Sequence, residues 1–269
     1  MSTETYTPEA SPTFITTEEA HKAAYDSGFR VELGRTGGWV GYRSTTARGE
    51  AWIARDPVQN VWLLALTHAG VVVELSLSRA GISKAPGLAS YAFPKLSGLY
   101  DALDRAYKLG VSLPDAPLEV FRKRTASLPS NTETERLTVV RIGQNIFRDA
   151  LLEYWNGRCP LTGITDPALL RASHIVPWAE CESDELRLDV HNGLLLSALW
   201  DCAFDGGLIS FSEVGVVLRS DSLSDAAALA LRIDSVPAII GLTDLHRQNL
   251  KRHRTKYGFF PEGPGTGEV

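Results

Sequence analysis

Cysteine is scarce in this chain: Cys159, Cys181 and Cys202 are the only three in 269 residues. An odd, sparse set argues against a disulfide framework and fits a reducing compartment, so a cytoplasmic location is expected. No CxxC pair exists, so no structural zinc is expected. No apolar run approaches the length that crosses a bilayer, so no membrane partner is expected. The opening MSTETYTPEASPT has neither a basic stretch nor an apolar one, which argues against a secretion signal. Internal repeats are missing too. Basic residues are not in excess: 27 Lys and Arg against 32 Asp and Glu leave a formal charge of −5. That counts against a generic nucleic-acid coat, whose phosphate contacts need cations. It leaves room for a local basic patch, and for acidic residues gathered where a metal binds.

What the chain does have is one stretch, Leu169 to Ser210, with polar residues set among apolar ones. Leu169 and Leu170 lead into His174 as a short extended run closed by Pro177. A polar loop rich in Asp and Glu follows. Asn192-Gly193 is a turn signal, and Leu194–Leu196 is a second apolar run. Ser197 is then an N-cap for a short helix, with Ala198, Leu199, Trp200, Ala203 and Phe204 at helical spacing and Gly206-Gly207 as the stop. The order is strand, loop, strand, helix. On that helix Asp201 and Asp205 are one turn apart and share a face. Taken alone, such a pair is more often a solvated helix face. A lone histidine at a strand end is more often structural. Together they point to an oxygen-lined site for a hard cation beside a titratable base.

The combination resembles the HNH endonuclease family, the ββα-metal nucleases. The motifs are RIGQNIFRDALLEYW, CPLTG, ASHIVPW and HNGLLLSALWDCAFDGGLISF. The resemblance implies His174 as general base, Asn192 as a brace for the loop between the strands, and Asp201 with Asp205 as ligands of one divalent ion, Mg²⁺ or Mn²⁺. Two departures stand out. The helix ligand is Asp where the family pattern has His, and Ser173 precedes the base where many members carry a ligand. The resemblance also implies double-stranded DNA as substrate; restriction or phage defence is an extrapolation from it. The competing readings are a DNA-binding protein with a degenerate site, and a structure-specific or RNA nuclease.

Around this core the reading is α+β. A tail of residues 1–15 is expected to be flexible. Residues 16–112 form a module of their own, with a DNA-recognition role left open. Its helix runs from Thr16 to about Ser27. Strands follow at Trp39–Ser44, Glu50–Arg55, Val61–Leu66 and Val71–Leu77, and an amphipathic helix ends near Leu109. This suggests a small antiparallel sheet with helices on one face. Trp39, Tyr42, Trp52 and Trp62 fall on its strands, where aromatics are usually core. Residues 113–131, with Pro114, Pro117 and Pro129, read as a linker carrying the charged piece FRKR at Phe121–Arg124. The nuclease domain is expected over 132–262. It opens with a helix from Glu135 to about Trp155, and Ile209–Phe211 with Val216–Leu218 reads as a hairpin. Short helices are expected at Asp225–Leu231 and Leu242–Tyr257. Nucleic-acid contacts are expected from Arg141, Gln144 and Arg148 on the first of these helices. Lys251, Arg252 and Arg254 on the last, where no acidic residue interrupts the basic run, are the other candidates. A homodimer is left open.

Overall fold

The computed structural model describes residues 5–82, 84–129 and 132–259. It contains helices and antiparallel sheets in two compact units, Met1–Ala116 and Pro117–Val269. The first four residues of the expected tail, Ser130 and Asn131 of the expected linker, and residues 260–262 of the expected nuclease domain lie outside the described residues.

In the first unit the chain runs β1 (Thr5–Tyr6), α1 (Phe14–Asp26), β2 (Val31–Thr36), β3 (Trp39–Arg43), β4 (Glu50–Asp56), β5 (Val61–Leu66), α2 (Ala69–Glu74), β6 (Gly81–Ile82), β7 (Ala89–Phe93) and α3 (Leu96–Ser112). Five strands form one antiparallel sheet in the order β2-β3-β4-β5-β7. Helices α1 and α3 pack against each other and against its strands. Trp39, Ala54, Val61, Leu63 and Ala65 form a cluster to which Tyr6 and Ile82, from the β1–β6 pair, add apolar cover. All six residues of β5, VWLLAL, are buried. That explains a continuous apolar run where a half-exposed strand would alternate. Trp39, Tyr42 and Trp62 are core residues. Burial pushes the Tyr42 hydroxyl up to about 12.

Three expectations change here. Val71–Leu77, read as a strand from its β-branched run, is instead helical as far as Glu74 and irregular after it. His68 caps α2, its Nδ1 accepting from the Val71 amide at 3.2 Å while Nε2 meets Asp115 Oδ2 at 3.1 Å. The cap and the contact of α2 with α3 override local β-propensity. The strand place beside β5 belongs to Ala89–Phe93. The opposite edge, Val31–Thr36, is mostly polar and broken by a register shift at Gly34, so it carries no alternating pattern. Nor is the tail loose from residue 5 onward. The Thr7 amide donates to Asp56 Oδ2 and the Glu9 amide to the Arg55 carbonyl, both at 2.8 Å, and Thr13 caps α1. Asp56 is buried, which would raise its carboxyl pKa, but amides of Thr7, Gln59 and Val58 hold it below the ordinary value.

The stretch read as linker contains a helix, α4 (Asp115–Thr125), and the division between the units falls in its first turn. Pro114 and Pro117 flank and begin that helix, where a missing amide costs nothing, so they are start signals and not breakers. Phe121 is buried while Arg122, Lys123 and Arg124 are exposed.

The second unit continues with α5 (Glu133–Tyr154), β8 (Leu170–His174), α6 (Asp184–Arg187), β9 (Gly193–Ser197), α7 (Ala198–Asp205), β10 (Ile209–Phe211), β11 (Val217–Arg219), α8 (Asp225–Leu231) and α9 (Asp244–Tyr257). A capping box of Thr132 and Glu135 starts α5. Its inward stripe of Ile146, Phe147, Ala150, Leu151 and Tyr154 packs on the β8–β9 hairpin. Leu194, Leu195 and Leu196 of β9 are fully buried, and α7 closes the layer against both strands. Each such leucine contributes roughly 1.5–3 kcal/mol, enough to fix the register that places the site. Among the described residues no helix is long and apolar enough to cross a membrane.

Candidate active site

β8 and β9 pair antiparallel from Leu170↔Ser197 to His174↔Gly193, so His174 stands at the end of its strand opposite a glycine. Gly193 has extended backbone, φ −149°. Its service is space: a Cβ there would come within 2.5 Å of Phe147 Cζ. The Phe147 ring instead lies flat against the His174 imidazole, centroids 3.7 Å apart and planes at 20°. Trp178 meets the same imidazole edge-on at 5.5 Å. The Asn-Gly pair thus sits at the start of a strand, with Asn192 closing the helical turn Val190–Asn192.

His174 Nε2 lies 2.9 Å from the Arg187 carbonyl. A carbonyl only accepts, so Nε2 carries the proton and Nδ1 keeps its lone pair. Burial lowers the imidazole pKa to about 4, against the opposing pull of that carbonyl. The ring is therefore neutral at pH 7 and able to take a proton at Nδ1.

Asn192 is fully buried. Its Oδ1 accepts from the Val176 amide at 2.8 Å. Its Nδ2 reaches the carbonyls of Val176 and Leu186 at 3.2 Å, and the Cys181 sulfur at 3.4 Å. One side chain thus ties both ends of the loop from residue 175 to 187. A buried amide left half-paired costs about 1–3 kcal/mol, so this network is tightly specified.

Arg187, which the sequence reading did not single out, is the second fastener of that loop. Its Nε donates to the Trp178 carbonyl at 3.3 Å, its Nη2 to the Cys181 carbonyl at 2.7 Å, and its Nη1 pairs with Asp184 at 2.9 Å. Its own carbonyl is the one that orients His174. The only hint in the sequence is that it is the single Lys or Arg between His174 and Asn192.

The carboxylates come from α7. Asp201, in its first turn, is partly buried; Asp205, its last residue, keeps an exposed side. Burial pushes the Asp201 carboxyl up, opposed by Ser173 and Arg171. Burial, followed by repulsion from Asp201, pushes Asp205 up to about 6, again opposed by Ser173. Ser173 itself is buried and its hydroxyl donates to Asp205 Oδ1 at 3.4 Å. The residue before the base thus joins the helix carboxylates to the strand that carries His174.

Two repelling carboxylates with a hydroxyl between them suit a hard divalent ion. Mg²⁺ in particular uses one or two carboxylates and completes its shell with water and substrate phosphate. Among the described residues no group of three or more His, Cys, Asp or Glu side chains gathers as a metal cage. The nearby acid–histidine pair is already engaged: Asp189 Oδ1 accepts from His191 Nδ1 at 2.7 Å and from the His191 amide at 2.9 Å.

The expected nucleic-acid residues divide. Arg148 donates to the carbonyls of Leu170 and Pro167 at 2.9 and 2.8 Å, pinning the start of β8. Arg254 is buried and donates to the Phe211 carbonyl at 2.7 Å. Both guanidiniums are engaged with backbone carbonyls, Arg148 from a half-buried position and Arg254 from a buried one, which spacing along a helix cannot reveal. Arg141, Gln144, Lys251 and Arg252 are exposed.

Residues 159–212 match the family model described as HNH endonuclease. The match takes in both strands of the β8–β9 hairpin, α7 and β10, so this segment is similar to the HNH domain of a nuclease family. No curated protein matches the chain.

Ionisation of Asp205 gives a pH dependence with a definite sign. Its folded pKa, about 6, is above the unfolded value near 3.9, so its proton favours the folded state. The metal-free protein gains stability from this group as pH falls from about 6 toward 4, and loses it as pH rises through the same window. A divalent ion needs the carboxylate ionised. The apparent Kd for Mn²⁺ should therefore rise about tenfold per pH unit below 6 and level off above 7. His174 stays neutral throughout that range. Thermal melts with graded Mn²⁺ at pH 5, 6, 7 and 8 measure this; a Kd unchanged from pH 5 to 7 would remove Asp205 from the ligand set.

Proposed function

We propose that the protein is a metal-dependent endonuclease that hydrolyses phosphodiester bonds of double-stranded DNA, working in restriction or phage defence. One observation carries this reading: a neutral histidine with its Nε2 proton fixed on a carbonyl stands at the strand end next to Ser173, whose hydroxyl touches Asp205 of the facing helix. A proton acceptor and a helix carboxylate are thereby tied to consecutive residues of one strand, which supports a role in hydrolysing an anionic ester.

The roles follow from the chemistry. A phosphodiester resists attack because its negative charge repels nucleophiles. A divalent ion supplies neutralisation of the charge that develops at the phosphate and at the leaving 3′-oxygen. Asp201 and Asp205 would hold it, with Asp201 proposed as the stronger ligand because its place in the first turn of α7 opposes the upward push of burial on its carboxyl. His174 Nδ1 takes the proton of the attacking water. Arg187 and Asn192 keep the loop, and with it the ring, in one orientation. Arg141 and Gln144 on α5, with Lys251 and Arg252 on α9, are the exposed donors proposed to meet the DNA.

A second reading has support from the small donor set. With only two carboxylates, the protein binds DNA without cutting it. Equal-length duplex DNA, single-stranded DNA and RNA, each incubated with Mn²⁺, separate the readings. The proposal expects duplex DNA to be cut fastest, at least about tenfold over the others. Faster cutting of RNA or single strands would change the substrate class. Tight binding of duplex with no product would favour the second reading. Adding methylated and hydroxymethylated duplexes tests the defence role.

A further inference from the structure

The seat of the His174 imidazole is built on α5, a helix that ends before the matched segment 159–212 begins. Gly143 and Phe147 are four residues apart and both buried, so they share the inward face of that helix. Phe147 takes His174, ring centroids 3.7 Å apart. Gly143 takes Trp178: a Cβ on Gly143 would come within 2.4 Å of Trp178 Cη2. The Trp178 ring then stands edge-on to the imidazole, planes at 89°. Arg187 holds Trp178 in place. Its guanidinium lies 5.9 Å from the Trp178 ring centre, and its Nε donates to the Trp178 carbonyl at 3.3 Å.

Buried rings in contact are ordinarily core packing, so what the hydrogen bonds leave undone decides the matter. Among the described residues one hydrogen bond holds the imidazole, between Nε2 and the Arg187 carbonyl. A single hydrogen bond fixes one point and leaves the ring free to swing about it. Such a swing moves Nδ1, the atom with the lone pair. The Phe147 face, at 20° to the imidazole, removes the tilt, and the Trp178 edge closes the direction across it. Two bare Cα positions make room for this. A Cβ on Gly193 would meet Phe147 Cζ at 2.5 Å, as one on Gly143 would meet Trp178.

We propose that Phe147 and Trp178 are positioning residues for His174. Phe147 sets the plane of the imidazole, Trp178 stops its swing, and Gly143 is the notch that seats Trp178. The effect on hydrolysis rests on the reading of His174 as general base; the seating of the ring does not.

The test uses the full-length protein at pH 7 with histidine labelled in carbon-13 and nitrogen-15. In the wild type the His174 ring protons should be shifted upfield by the Phe147 ring current, with Nε2 protonated and Nδ1 bare. Gly143→Ala leaves every group around His174 in place and only pushes Trp178. Ala is the better helix former, so the fold should hold. Its His174 signals should move, and its single-turnover cleavage at saturating DNA and Mn²⁺ should slow about threefold or more. Phe147→Leu, which keeps apolar volume and loses the flat face, should show a mixture of tautomers and cut about tenfold more slowly. Misplacing a reacting group by 1 Å can cost roughly 10²-fold. The Kd for Mn²⁺ and for DNA in EDTA should stay at the wild-type values in both. Ile146→Val, which thins the same buried stripe one residue away, should keep the wild-type signals and rate.

A wild type without the upfield shift, a single wild-type tautomer in Phe147→Leu, or an equal loss in Ile146→Val would each overturn the proposal. So would wild-type signals in Gly143→Ala. If no protein cuts DNA, the nuclease reading fails, and the histidine signals of the variants still decide whether the two rings seat the imidazole.

Discussion

His174→Ala should cut DNA about 10²–10⁴-fold more slowly than the wild type, while still folding and still binding DNA. The size follows from the geometry. The Arg187 carbonyl holds the Nε2 proton, and burial keeps the ring neutral, so Nδ1 is a free acceptor at every pH above about 4. The other histidines of the second unit are engaged elsewhere: His191 with Asp189, His246 Nδ1 with Thr243, and His253 Nε2 with the Phe204 carbonyl. Removing the ring also uncovers the flat face of Phe147, a packing loss expected to cost about 1–2 kcal/mol and to leave the protein folded. Single-turnover cleavage at saturating Mn²⁺, with binding measured in EDTA, separates the two effects. A variant that cuts within about threefold of wild type would remove His174 from the role of base.

Asp201→Asn/Asp205→Asn should give a folded protein with no cleavage at any Mn²⁺ concentration. The single variants should differ from one another. Asp205 ends α7, where a carboxylate opposes the helix dipole, and both burial and Asp201 already disfavour its charge. Asp205→Asn should therefore raise the melting temperature of the metal-free protein at pH 7 by about 1–3 °C, small because an exposed side screens the charge. That gain should vanish below about pH 4, where the wild-type carboxyl is protonated. Asp201 lies in the first turn and gains from the same dipole, which offsets part of the burial and repulsion that disfavour its charge, so Asp201→Asn should stabilise the metal-free protein less than Asp205→Asn does and should weaken Mn²⁺ binding more. Melts with graded Mn²⁺ report both quantities. If the double variant is still stabilised by Mn²⁺ as the wild type is, the ion sits elsewhere, with Asp189 and His191 the next candidates.

The strands and helix of the site were legible because several local signals agreed. Apolar runs bounded by turn residues gave β8 and β9, and helical spacing stopped by two glycines gave α7. Caps were informative too: the sequence offers Thr132 or Thr134 as the start of α5 and the structure uses Thr132, while Thr243 caps α9 as its place before the helix suggests. The pairing of β8 with β9 fixed which residue faces His174, and that needed the structure. Gly193 shows the difference: the sequence makes it a turn residue, while its use is the room it leaves for Phe147. Charge was the least legible property. Arg148 and Arg254 look like the exposed arginines beside them, yet both bond carbonyls that are remote in sequence. In the first unit, three valines favoured a strand and a histidine cap made a helix. Local propensity lost there to a contact between His68 and Asp115, 47 residues away.

The central claim is that His174 and the two α7 carboxylates form one hydrolytic site. Supercoiled plasmid incubated with Mn²⁺ tests it most directly, using wild type, His174→Ala and the double Asn variant, each with and without EDTA. The account predicts nicked and linear products from the wild type alone, abolished by EDTA, and intact plasmid from both variants. Equal cutting by wild type and His174→Ala, or cutting that survives EDTA, would contradict it.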